Sequence, residues 1–203
     1  MHVAIDIDGT LNLPPEEFEF PMCEEWLKDH GFPIRKRDYS KLRAYDAFGI
    51  EQGIYKKWLN YYFGINCKKN PPQIGAPEAL RLMKMRGYKI SIVTRRDPGY
   101  HGLYNGQEMV DDTTMWFIKY NIPYDHIYYG CVDKAKILKE IGADIMIEDE
   151  VSNLLPIVDQ GIPCIAVAQK YNEDFKGYSP LLIRIEGWPA ILSFLEKYEK
   201  TLL

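Results

Sequence analysis

Two aspartates stand two residues apart at the end of a short apolar run, Val3-Ala4-Ile5-Asp6-Ile7-Asp8-Gly9-Thr10-Leu11. The run has the length of a fully buried strand, and stability alone would not end it in two carboxylates and a glycine. On an extended chain Asp6 and Asp8 point to the same side. At about 4 Å two such charges repel by roughly 4 kcal/mol at an effective dielectric of about 20, unless something positive lies between them. The chemistry this suggests is a divalent-metal site at a strand's carboxyl end, with one Asp free to act as a nucleophile.

Three more polar clusters follow apolar runs. Thr94-Arg95-Arg96-Asp97 comes after Lys89 to Val93, Gly130-Cys131-Val132-Asp133-Lys134 after His126 to Tyr129, and Glu148-Asp149-Glu150 after Asp144 to Ile147. Ligands of open α/β sheets bind beyond the carboxyl ends of the strands, so one rim would collect carboxylates, a hydroxyl and a lysine. Helical patterns separate these runs, over Pro77 to Arg86 (stopped by Gly87), about Glu108 to Tyr120 and Lys134 to Ile141. Another precedes a strand from Pro163 to Val167, and Trp188 to Tyr198 closes the chain. Strands alternating with helices of this length predict a three-layer α/β core, a parallel sheet covered on both faces.

The alternation pauses from 12 to about 73, where helical spacing and aromatics dominate. Pro21 opens one helix, closed near Gly31 and Pro33; Asp38 is placed to cap a second running towards Gly49. A third spans Glu51 to Phe63, with Gly64 and Asn70-Pro71-Pro72 as its stops.

The 203 residues suffice for one full core and a small accessory unit. A net charge of -4 disfavours extended nucleic-acid binding. The chain enters a strand within two residues and has no apolar run of membrane-spanning length, so the expected location is cytoplasmic, away from membranes. Cys23, Cys67, Cys131 and Cys164 lack metal-knuckle or redox spacing; the last two read as small core residues.

Asp6-Ile7-Asp8-Gly9-Thr10, a strand-terminal Thr94, a helix-opening Lys134 and a strand-terminal Glu148-Asp149, in that order, resemble the haloacid dehalogenase-like superfamily of phosphohydrolases. The resemblance implies a Rossmann-like α/β/α core over 1–12 and 74–203, with 13–73 inserted as a small helical cap. It also implies a role for each matching position. Asp6 would be the nucleophile that forms an aspartyl-phosphate, and Asp8 the general acid and base. Asp6, the Asp8 backbone carbonyl and Asp149 would hold Mg2+, with Glu148 behind them. Thr94 and Lys134 would bind the phosphate. Lys136 competes with Lys134 for that place; Lys134 is preferred because it opens the helix directly after Asp133, whereas Lys136 points roughly 200° around it.

Lys170-Tyr171-Asn172-Glu173 and Ile183-Arg184-Ile185-Glu186-Gly187-Trp188 further resemble the 5′(3′)-deoxyribonucleotidases and their bacterial relatives. The implied activity is phosphate-monoester hydrolysis on a small phosphorylated substrate, a (deoxy)nucleoside monophosphate, with a sugar phosphate or a non-catalytic binding role as alternatives. A homodimer is compatible with the chain. Phe18, Phe20, Trp26, Tyr39, Tyr45, Phe48, Tyr55, Trp58, Tyr61, Tyr62 and Phe63 crowd the insertion. Most are expected to pack its interior, and a few could face a nucleobase. Arg43 or Tyr45 could face the site. Glu150 is expected to be solvated and Asp97 to cap the turn before Pro98; the Gly-rich segment Arg96 to Gly102 could border the substrate but matches no motif of the family.

Overall fold

The computed structural model describes residues 1–99, 106–175 and 179–202. Six strands, β1 (His2–Ile5), β2 (Lys89–Val93), β3 (His126–Tyr128), β4 (Ile145–Glu148), β5 (Cys164–Val167) and β6 (Leu182–Ile185), form one parallel sheet in the order β3-β2-β1-β4-β5-β6. Alternation along the strands divides the core. Val3 and Ile5 lie in register with Ile90 and Ile92 of β2 and with Ile145 and Ile147 of β4. This face is covered by α4 (Ala76–Met85), α5 (Gly106–Lys119) and α8 (Trp188–Leu202), through Leu80, Met83, Trp116, Phe117, Trp188 and Ile191. Ala4, Val93, Met146, Cys164 and Ala166 face the other way, onto α6 (Lys134–Ile141) and α7 (Val151–Val158). Each large apolar side chain buried this way contributes about 1.5–3 kcal/mol, which is why nearly continuous apolar strands belong between two helical layers.

After β3 the chain crosses to the other side of β1, so the strand order reverses between β1 and β4. In doubly wound sheets that switch point opens a crevice at the carboxyl ends of the strands.

Between β1 and α4, an isolated antiparallel bridge joins Asn12 to Pro72 where the chain leaves and rejoins the sheet layer. Residues between them build a separate apolar cluster from α1 (Glu19–Asp29), α2 (Ala44–Phe48) and α3 (Gln52–Lys69), centred on Phe20, Trp26, Phe48, Trp58 and Tyr62.

Three expectations need correction. No helix runs from Asp38: its carboxylate instead accepts from the Ser40 N–H and hydroxyl at 3.2 and 2.6 Å, while the N–H groups of Arg35 and Asp38 pair with the carbonyls of Phe48 and Ala47. Only the short α2 remains. Gly64 does not stop α3. One glycine costs a helix about 1 kcal/mol, less than the burial of Trp58, Tyr62 and Cys67 on the same helix returns. The stop comes at Asn70, extended at ψ 113° because a proline follows. Leu182–Ile185 adds a sixth strand at the sheet edge that its short, mixed composition does not announce. Among the described residues, no helix is long and apolar enough to cross a membrane, and all four cysteines are free and buried.

Candidate active site

The turn after β1 fixes the first polar groups. Asp6 continues the sheet for one more bond, its N–H reaching the Ile147 carbonyl at 3.0 Å. The N–H groups of Thr10, Leu11 and Asn12 then fold back onto the Ile7 carbonyl at 3.2, 2.9 and 3.1 Å. Gly9 closes this turn at φ +79°, and a Cβ there would meet Asp149 Oδ2 at 2.5 Å. Only glycine satisfies both the backbone angle and the space. Its carbonyl is held by the side-chain amides of Gln73 and Gln169, at 2.7 and 2.9 Å.

Asp6 faces Lys134, the first residue of α6, at 2.8 Å. The same ammonium bonds Glu148, the last residue of β4. All three are buried. Burial pulls the Lys134 ammonium down, but Asp6 and Glu148 outweigh it and hold it above its ordinary range. One cation does not neutralise the group. Asp149 adds a third buried carboxylate, bonded by the Thr10 hydroxyl at 2.5 Å and by the Tyr171 hydroxyl. Oxygens of Asp6, Glu148 and Asp149 lie within 4.8 Å of one another. Burial first, and then Glu148, push Asp6 up to about 7; the same causes, with Asp6 added, raise Asp149.

Asp8 is held by a different cation. Arg96, just beyond β2, clasps it with two bonds, Nε to Oδ2 at 2.9 Å and Nη2 to Oδ1 at 2.7 Å. The amides of Asn12 and Asn66 add bonds at 3.0 and 2.7 Å, the latter from α3. Burial pulls this carboxyl upward, but Arg96 outweighs it, and the group settles at about 2. Arg96 is itself buried and anchored on the Thr113 hydroxyl at 2.8 Å. Thr94 is buried at the end of β2, its hydroxyl accepting from the Arg96 N–H at 3.2 Å.

Asp6, Asp8, Thr94, Lys134, Glu148 and Asp149 all line one cleft of about 300 Å³ at the β1/β4 switch point. Its opposite wall comes from the helical segment, including Leu59, Tyr62, Phe63 and Asn66 of α3.

No family model matches the chain. A Bacillus subtilis (strain 168) protein named "Putative nucleotidase YqfW" is 25% identical over 205 residues, covering 100% of this chain and 97% of that one. Among solved structures, a haloacid dehalogenase-like family hydrolase, SP0104 from Streptococcus pneumoniae, superposes with a TM-score of 0.65 at 17% identity, covering 96% of this chain and 97% of its own. CbbY from Rhodobacter sphaeroides, solved with xylulose-(1,5)bisphosphate, gives 0.55 at 17% identity, with 89% and 92% covered. The chain has the haloacid dehalogenase-like fold.

Within that fold the structure brings all five residues singled out from the sequence, Asp6, Asp8, Thr94, Lys134 and Asp149, to the same cleft. Lys136 points elsewhere. Its ammonium is exposed, 3.9 Å from Glu140, and only its backbone N–H serves the Asp133 cap. The two aspartates have different side-chain cations, Lys134 on Asp6 and Arg96 on Asp8. Glu150 is not a solvated carboxylate, because Arg43 reaches it at 3.0 Å from the helical segment. Asp97 does cap its turn, accepting from the Gly99 N–H at 2.8 Å; Tyr100, His101 and Gly102 lie outside the described residues. Tyr55, Tyr62 and Phe63 line the cleft, whereas Tyr45 packs on Tyr55, and Trp26 and Trp58 pack within the helical cluster. Asn12 and Asn66 carried no assignment in the sequence, and Arg96 carried only a place in the segment that could border the substrate. The one available signal was the position of Arg96 on the rim, two residues after Thr94.

Proposed function

We propose that this chain hydrolyses a phosphate monoester, a (deoxy)nucleoside monophosphate, through a phosphorylated Asp6, under a cap formed by residues 13–73. The observation that carries the reading is the buried set Asp6, Lys134, Glu148 and Asp149 beside an Asp8 with its own arginine. A nucleophile with a lysine against it and a second carboxylate two residues on is what in-line attack at phosphorus needs.

The carboxylate cluster fits a hard divalent cation such as Mg2+: three buried oxygen donors lie within reach of one another and are short of positive charge. Asp6, Asp149 and the Asp8 carbonyl would hold it, with Glu148 kept back by its bond to Lys134. Such an ion would supply the charge that keeps Asp6 ionised and offsets the oxygens of the phosphate.

In the first half-reaction an Asp6 oxygen bonds to phosphorus as the bond to the leaving oxygen breaks. Lys134 and the Thr94 hydroxyl stabilise the equatorial oxygens, and Asp8 places a proton on the departing oxygen. In the second, Asp8 takes a proton from water, which attacks the acyl phosphate and frees Asp6 and inorganic phosphate. The Arg96 clasp favours the ionised Asp8 of this second step. Tyr55, Tyr62 and Phe63 give the cleft flat faces for a base, in keeping with the name of the Bacillus relative.

The test is phosphate release from a panel of nucleoside monophosphates and sugar phosphates, with Mg2+ and with EDTA. Release from nucleotides that Asp6→Asn or EDTA abolishes is the expected result. Turnover that survives either change would contradict the mechanism, and turnover confined to sugar phosphates would contradict the nucleotide assignment.

A further inference from the structure

Among the polar groups of the cleft that the phosphoryl chemistry does not use is Glu19. It is the first residue of α1, 9% exposed, and lies in the cleft wall with Arg43 and Tyr55. Its Oε1 accepts from the Trp58 indole N–H at 3.0 Å, and among the described residues no donor reaches Oε2. Trp58 is fully buried and stacked on Tyr62 with ring centroids 4.9 Å apart, so the bond sets the carboxyl in a fixed direction. The cations nearby are already engaged: Arg43 with Glu150, Arg96 with Asp8, and Lys134 with Asp6 and Glu148. Burial leaves the Glu19 carboxyl up at about 7, as expected of a group whose bonds are incomplete. A desolvated acceptor with a free oxygen rewards a ligand that brings a donor and rejects one that does not.

We propose that Glu19 selects the leaving group: its free oxygen accepts a hydrogen bond from an N–H or O–H of an uncharged leaving group, and its charge turns away esters carrying a second phosphate. This rests on the phosphomonoesterase reading of the same cleft. The donor could belong to a base or to a sugar. Glu19→Gln keeps an oxygen for Trp58 and presents an amide N–H2 where the free oxygen stood, so donor would meet donor.

The experiment compares kcat/KM of wild type, Glu19→Gln and Glu19→Ala on a nucleoside monophosphate, a hexose monophosphate, a hexose bisphosphate and p-nitrophenyl phosphate, whose leaving group bears no donor. The ratio of the preferred donor-bearing ester to p-nitrophenyl phosphate should fall about tenfold or more in Glu19→Gln, chiefly through KM. Discrimination against the bisphosphate should relax in Glu19→Ala. A fall confined to the nucleotide assigns the donor to the base, and one shared by the hexose monophosphate assigns it to a sugar hydroxyl. Ratios that stay at the wild-type value in both variants, whether the absolute rates change or not, overturn the proposal. Absence of release from every ester by wild type overturns the phosphomonoesterase reading and this inference with it.

Discussion

Asp6 and Asp8 are two residues apart and the same amino acid, but their surroundings push them in opposite directions. Burial, and then Glu148, raise Asp6, while the Arg96 clasp lowers Asp8. That division suits a nucleophile awaiting a cation and a base ready at neutral pH. Removing Arg96 should therefore let Asp8 rise from its depressed value. In Arg96→Leu the acid limb of the kcat–pH profile is expected to move to higher pH, and an unmoved limb would show that Arg96 does not set Asp8. The two partners should also differ in stability. Asp8→Ala strands a guanidinium only 2% exposed and is expected to cost about 3–5 kcal/mol. Arg96→Leu strands a carboxylate 39% exposed that water can still reach, and is expected to cost about 1–2 kcal/mol. Urea unfolding of both variants checks the order. At this scale Asp6, Thr94, Lys134 and Asp149 were legible because each stands at a strand end or helix start whose position the sequence marks. Asn66 and the clasp of Arg96 on Asp8 were not, since they depend on which element comes to face Asp8.

The elements explain why these groups converge. β1 leads into Asp6, and the chain then turns back over residues 7–12, with Gly9 making that turn against Asp149. A Cβ at Gly9 would be strained at φ +79° and would displace the Asp149 carboxylate. Gly9→Ala is expected to lower kcat by about a hundredfold, the scale of an ångström-sized misplacement of a catalytic group. Near-wild-type turnover in this variant would mean that Asp149 is not needed where it stands. Most strands and helices of the sheet layers could be read from apolar period and glycine stops, with the same bounds at β2 and α6. The helical segment was harder. Gly64 carries a stop signal that packing overrides in α3, and Asp38 a cap signal that its bond to Ser40 absorbs. β6 escaped because four residues ending in Arg184-Ile185 at an edge show too little alternation to stand out.

Taken whole, the molecule places a cluster of like charges at the switch point of its sheet and covers it with a helical segment. Such a cluster carries a cost in the absence of a cation. Asp6 has a folded pKa of about 7 against an ordinary 3.8, so between those values the native state binds more protons than the unfolded chain. Stability must then fall as pH rises through that window. Glu19, also at about 7, acts in the same direction. In EDTA, the melting temperature is expected to be lower at pH 8 than at pH 5.5, and Mg2+ should raise it at pH 8 more than at pH 5.5. A Mg2+ effect that is absent, or equal at both values, would argue that the cluster does not hold the ion. That the sheet is parallel and that a helical segment interrupts it after β1 were foreseeable from the regular alternation after residue 76 and its absence before, whereas the order of the strands was not read from the sequence. How the insertion meets the sheet layer, through Asn66 on Asp8 and Arg43 on Glu150, was not, because contacts 58 and 107 residues apart leave no local signal.

Mass spectrometry of the enzyme, acid-quenched during turnover with Mg2+ and substrate, tests the central claim most directly. The account predicts the mass of one phosphoryl group on the peptide containing Asp6, removable by hydroxylamine and missing in Asp6→Asn. Steady phosphate release with the adduct on another residue, or turnover undiminished in Asp6→Asn, would contradict it.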